Sequence, residues 1–136
     1  MKFYIASGLL NKKIVQIVAA HLKSYGFTHT YDWTQNERAD SVEKLQAIGE
    51  DERIGVLNAD FLIVLLPGGK GTHVELGIAL AQHKRVYLYS PTEDINDFSK
   101  TSTFYFLEEI IPYIGPLDNF IEMVLENEIS LKKDKG

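Results

Sequence analysis

The hydrophobic positions of this chain follow two patterns, and the two alternate from one end to the other. Phe3 to Ala6 and Phe61 to Leu66 are unbroken apolar runs, the mark of strands covered on both faces. Ser7-Gly8 closes the first run in a turn. Ile14, Ile17, Val18, Leu22 and Tyr25 then recur at helical spacing over Leu10 to Tyr25, and Gly26 stands where a C-terminal cap belongs. Phe27 to Tyr31 reads as a second strand. Asp40, with Glu43 three residues on, has the form of a capping box and opens a helix that runs to about Asn58. Pro67-Gly68-Gly69 ends the central strand, and Thr72 to His83 is the third helix. Arg85 to Tyr89 is a fourth strand and Ser90 to Ser102 a polar loop. A weak fifth strand lies within Phe104 to Tyr113, and Leu117 to Ile129 forms the last helix.

Strand and helix in strict alternation predict an α/β fold: a flavodoxin-like, doubly wound parallel sheet of about five strands with helices on both faces. The 136 residues suit one core, so residues 1–131 are expected to be a single domain and 132–136 a solvated tail. In such sheets ligands bind at the carboxyl ends of the strands, near the point where strand order reverses. That rule selects Ser7 to Leu10, Tyr31 to Thr34, and Pro67 to Glu75.

Composition narrows the chemistry. With no cysteine, disulfides, thiolate-zinc sites and thiol nucleophiles are excluded. A net charge of -5 without a basic stripe argues against a nucleic-acid polymer as partner. The chain has no apolar run of membrane-spanning length and no signal-peptide pattern, which sets the expectation of a cytoplasmic protein without a membrane partner. The four histidines, His21, His29, His73 and His83, lack metal-ligand spacing. Neither metal nor other cofactor is expected.

The richest stretch runs from Pro67 to Gly77. Gly68, Gly69 and Gly71 between a buried strand and a helix let backbone N–H groups approach an anion, and the helix start adds its dipole. The spacing matches neither a Walker loop nor the GxGxxG dinucleotide pattern. Thr72 and Glu75 have the spacing of a capping box. Glu75 also stands one turn into a helix above the crevice, where a carboxylate can attack a sugar carbon. Glu52 lies on an apolar helix face with Leu45, Ile48 and Val56, so it is either functional, paired with Arg53 or Arg38, or bent out to water. Tyr4, inside the first strand, needs a partner for its hydroxyl or serves as packing. Asp32 and Trp33 offer a carboxylate beside an aromatic face, either a platform for a base or a plug. His73 is expected to be exposed.

On the residues Tyr4-Ile5-Ala6-Ser7, Glu52 with Gly55-Val56 and Ala59-Asp60, and Gly71 to Ala79, the chain resembles the nucleoside 2-deoxyribosyltransferase family and its nucleotide N-hydrolase relatives. The resemblance covers Lys2 to about Pro91. It implies that Glu75 attacks C1′, that Tyr4 orients Glu75, and that Glu52 occupies the place of an aspartate that protonates the departing base. The strand-end rule and the glycine loop set the expected substrate-binding residues as Ser7, Gly8, Asp32, Trp33, Pro67, Gly68, Gly69, Lys70, Gly71 and Thr72. Gly69 stands where the deoxyribosyltransferases carry an acid that contacts the sugar 5′-hydroxyl, which favours a nucleoside 5′-monophosphate over a bare nucleoside. Pro67 to Thr72 with Glu75 is also similar to the PGGxGTxxE signature of cytokinin-activating phosphoribohydrolases. A glycohydrolase acting on a dinucleotide such as NAD and a non-catalytic nucleotide-binding module remain open alternatives. The family further implies a homodimer or higher homo-oligomer. The last helix (Leu117, Phe120, Ile121, Val124, Leu125) is the surface for it, unless those residues pack on the sheet.

Overall fold

A computed structural model describes residues 1–135. Five strands form one sheet: β1 (Lys2–Ser7), β2 (Thr28–His29), β3 (Phe61–Leu65), β4 (Arg85–Ser90) and β5 (Ile110–Ile114). Their order is β2-β1-β3-β4-β5, and every pairing is parallel. The helices α1 (Lys12–Ser24), α2 (Val42–Asn58), α3 (Lys70–Ala81) and α4 (Leu117–Lys135) cover it, α2 beside α3 and α1 beside α4. Phe3 to Ala6 and all of β3 are buried, as strands covered on both faces must be. The direction of winding reverses between β1 and β3, which lie in register from Phe3↔Phe61 to Ser7↔Leu65. The crevice of this doubly wound sheet therefore opens above Ser7 and Leu65.

Several boundaries differ from the sequence reading, each for a local reason. The second strand shrinks to Thr28–His29, because Thr30 turns to bond the Phe3 and Gly55 carbonyls and Asp32 caps a 3₁₀ turn at Trp33–Gln35. The cap of α2 is Ser41, whose hydroxyl accepts from Lys44 N, while Asp40 pairs with the Lys44 ammonium at 2.7 Å. The Thr72–Glu75 capping box does not form. Helix α3 starts at Lys70 with Gly69 as its cap, and Thr72 Oγ1 reaches back to accept from Gly69 N–H at 3.0 Å. Glu75 is thereby released from any capping duty. The polar stretch after β4 contains a 3₁₀ turn at Glu93–Asn96.

Helix α4 runs on through Lys132 to Lys135, where a solvated tail was expected; Gly136 lies outside the described residues. Its Phe120, Ile121, Val124 and Leu125 are buried on the sheet, which removes them as an oligomer surface. Glu128, fully buried, clasps α4 to β4. It accepts two bonds from the Arg85 guanidinium, at 2.9 and 2.7 Å, and a third from the Tyr87 hydroxyl. A fork-to-fork pair of this kind satisfies a buried charge.

Candidate active site

Strand pleating sends Tyr4 to the face of the sheet covered by α2 and α3. The approach is close because residue 55 of α2 is glycine. A Cβ at Gly55 would stand 2.9 Å from Tyr31 Cβ and 3.0 Å from Tyr4 Cδ2. Held there, Tyr4 donates its hydroxyl to Glu75 Oε2. Both groups are buried, Tyr4 completely and Glu75 to 6% exposure. From α2, half-buried Glu52 comes within hydrogen-bonding reach of Glu75. No ion pair links Glu52 to Arg38 or Arg53 among the described residues.

Two carboxyls within reach of each other can bond only if one keeps its proton, since two carboxylates only accept. Burial is the main force on Glu75 and pushes its pKa up to about 8. Donation from Tyr4 works against that rise, and the neighbouring Glu52 charge adds to it. Burial likewise raises Glu52 above the ordinary glutamate range. Burial first, then the Glu75 charge, drives the Tyr4 hydroxyl far above its usual value, so it stays a proton donor at all working pH. The result is a triad of one fixed donor and two carboxyls with a movable proton.

The glycine loop forms the rim. Gly68 is demanded by packing: a Cβ there would stand 2.7 Å from Thr72 Cγ2. Gly69 and Gly71 have nothing within 4 Å of a Cβ position, so their bare backbone faces open space. Lys70 is exposed beside them, and Thr72 is buried under the loop. Ser7 and Gly8 brace this rim. Ser7 Oγ donates to Leu65 O at 2.7 Å and accepts from Asn11 Nδ2 at 3.0 Å. Gly8 N–H donates to Pro67 O at 3.3 Å, and a Cβ on Gly8 would stand 2.9 Å from that same oxygen.

Asp32 and Trp33 do not join the carboxyls. Asp32 caps its 3₁₀ turn by accepting from Thr34 N at 3.0 Å. Trp33 is buried and donates Nε1 to Ile5 O at 2.7 Å, which makes it the plug of the two alternatives. A cavity of about 450 Å³ lies between α2 and α3, lined by Glu52, Arg53, Gly71, Val74, Glu75 and Ile78 among others. A second, of about 510 Å³, lies across the glycine loop, where Pro67, Gly68, His73, Lys100 and Tyr105 meet. It is the larger, but Glu52 and Glu75 line the first and not the second. Arg53 and Gly55 were missed as site residues. The marker Gly55-Val56 was the available signal for the second, because only a glycine admits Tyr4 so close. His73 is exposed, as expected, yet both its ring nitrogens are bonded. No group of three His, Asp or Glu residues able to hold a metal occurs among the described residues, and none of their helices is long and apolar enough to cross a membrane.

Comparison with known proteins bears on the fold and the family. No curated protein matches the chain in sequence. The CMP N-glycosidase BcmB of Clostridium botulinum has the same fold at 15% identity, with a TM-score of 0.63, over 91% of this chain and 97% of that one. A 2-deoxyribosyltransferase from Bacillus psychrosaccharolyticus has it at 19% identity and the same TM-score, over 88% of this chain and 89% of its own. The model of the family described as nucleoside 2-deoxyribosyltransferase matches residues 3–127, which includes Tyr4, Glu52, Glu75 and the glycine loop. The chain belongs to the nucleoside 2-deoxyribosyltransferase family.

Proposed function

We propose that this protein cleaves the N-glycosidic bond of a nucleoside 5′-monophosphate, with Glu75 as nucleophile. Family membership supports N-glycosidic cleavage or transfer on a nucleoside or nucleotide. The observation that carries the finer reading is the buried Glu75 carboxyl held by Tyr4 and facing Glu52. Burial acts most strongly on Glu75, so in the free protein the proton of the pair rests on it. A substrate base accepting a hydrogen bond from Glu52 draws that proton across, leaving Glu75 ionised with Tyr4 fixing its outer oxygen. Glu75 then attacks C1′: the C1′–O bond forms, the C1′–N bond breaks, and Glu52 delivers its proton to the departing base. Water, giving a proton back to Glu52, releases the sugar; a second base in its place makes a transferase. The bare amides of the loop and Lys70 hold the 5′-phosphate, so binding away from C1′ orients the sugar. The CMP N-glycosidase among the structural neighbours supports a monophosphate substrate.

The test is chromatography of ribo- and deoxyribonucleosides, their 5′-monophosphates and NAD after incubation with wild type and Glu75→Ala. Free base from a monophosphate, formed by wild type alone, is the expected result. Faster turnover of bare nucleosides overturns the phosphate reading. No turnover, with ligand bound unchanged, overturns the enzymatic one.

The same reading includes a homodimer, with the partner on the outer face of α2 and α3. Helix α2 buries only Gly55 and Val56 of its 17 residues and leaves Val42, Leu45, Ile54 and Leu57 exposed, and Val74 of α3, also exposed, lines the carboxyl cavity. A second copy seated there covers this apolar surface and closes the site. The expected solution mass is that of a dimer, and Leu45→Glu together with Val74→Glu is expected to yield a monomer with impaired turnover. A wild-type monomer at micromolar concentration overturns this part.

A further inference from the structure

The peptide groups of Gly69 are held at three points. Its N–H donates to Thr72 Oγ1, and its carbonyl accepts from His73 N–H at 3.3 Å and from His73 Nδ1 at 2.8 Å. The long backbone bond is what the start of α3 supplies on its own; the short one comes from the imidazole. A carbonyl only accepts, so Nδ1 must carry the ring proton. In the neutral ring Nε2 is then a bare acceptor, and Tyr105 O–H lies 2.7 Å from it. Tyr105 is buried in a 3₁₀ turn at Thr103–Phe106, its ring stacked on His73 with centroids 5.9 Å apart. The Gly69 carbonyl thus sets the tautomer of His73, and Tyr105, far along the chain, supports it by donating to the bare Nε2.

That carbonyl matters because of where it would otherwise point. Turned toward the rim, it would present partial negative charge to an anion. Drawn into the first turn of α3, it leaves the rim to the amides of Lys70 and Gly71, which have no acceptor among the described residues. We propose that His73 and Tyr105 are positioning residues that keep the glycine loop turned amide-outward toward the anionic end of the substrate. The inference rests on the reading of the loop as a phosphate holder, and it concerns residues on the opposite side of the loop from Glu75.

The variants are His73→Ala, His73→Asn and Tyr105→Phe, with kcat and KM measured for a nucleoside 5′-monophosphate and its parent nucleoside. Asparagine can place an N–H donor near the position of Nδ1 and lacks the ring. We expect His73→Ala to raise KM for the monophosphate about tenfold with little change in kcat or in nucleoside kinetics, His73→Asn to restore it to within about threefold, and Tyr105→Phe to fall between. Equal losses for both substrates, no loss, or no rescue by asparagine overturns the proposal. A second readout needs no turnover: ¹⁵N NMR of the His73 ring at alkaline pH. Wild type should show the proton on Nδ1, and Tyr105→Phe should move part of it to Nε2. A wild-type ring protonated on Nε2 overturns the clasp itself. A correct tautomer in a protein that turns over no substrate overturns the proposed function instead.

Discussion

Replacing Glu75 by glutamine should make the protein less active and, above about pH 5, more stable. Glu75 is held near pKa 8 in the fold against an ordinary 4.5. Below 4.5 both folded and unfolded chains carry the proton, and the group adds no pH dependence. Between 4.5 and 8 the folded chain keeps a proton that the unfolded chain releases, so stability falls as pH rises through that window. At about 1.4 kcal/mol for each tenfold change in the protonation equilibrium, the full cost at pH 9 approaches roughly 5 kcal/mol. The proton is shared with Glu52, so removing one charge relieves about half, roughly 2 kcal/mol, or about 5–8 °C in Tm for a domain of this size. Glutamine keeps the shape, and its Oε1 accepts from Tyr4. The assay is a set of thermal melts of wild type and Glu75→Gln from pH 4 to 9, with base release measured in parallel. The expected result is equal Tm at pH 4, a widening advantage for the variant above pH 5, and activity reduced at least about 1000-fold. A Tm difference that does not change with pH refutes the burial argument. A stabilised variant that keeps its activity refutes the assignment of the nucleophile.

Three further predictions follow from neighbouring groups. Tyr4→Phe removes the bond that favours the ionised form of Glu75, so kcat should fall about 10- to 100-fold, and the loss of activity at alkaline pH, where the pair gives up its proton, should move to higher pH; an unmoved profile shows that the hydroxyl does not tune the carboxyl. Gly55→Ala forces Tyr4 and Tyr31 to yield, at a packing cost of about 1–3 kcal/mol against about 1 kcal/mol returned by helix propensity. Activity should drop at least about tenfold with only a small change in Tm, and wild-type activity would show that the site tolerates the displacement. His29, stacked on Phe3 with neither ring nitrogen bonded, is held by burial at about 4 against an ordinary 6.5. As pH falls from 6.5 to 4 the unfolded chain takes a proton that the folded one refuses, so stability falls through that window. With the residue half-buried, the loss is about 1–2 kcal/mol. His29→Phe should remove this part of the acid sensitivity, as urea titrations at pH 7 and pH 4.5 would show; equal sensitivity in both proteins refutes the cause.

How much of this was legible in the residues depends on whether the signal was local. The buried strands, the alternation of strand and helix, and hence the parallel sheet follow from short apolar runs that no other fold class explains as well. The boundaries were less legible because they turn on competition among close neighbours. Asp40 and Ser41 both offer a cap, and Ser41 takes it because Asp40 finds Lys44. Gly69 and Thr72 both offer a start for α3, and the helix begins early because Thr72 can cap from inside it. The same event decides how Glu75 is read. With Thr72 as cap, Glu75 would be the outer half of a capping box, solvated and structurally accounted for. Beginning the helix at Lys70 instead carries Glu75 almost two turns in and rotates it onto Tyr4. There its carboxyl is buried with no cation beside it, at a cost that packing alone would not retain. The pairing of Tyr4 with Glu75 spans 71 positions and that of His73 with Tyr105 spans 32. No local pattern announces contacts of that separation, so the first came only through a family resemblance and the second only through the fold.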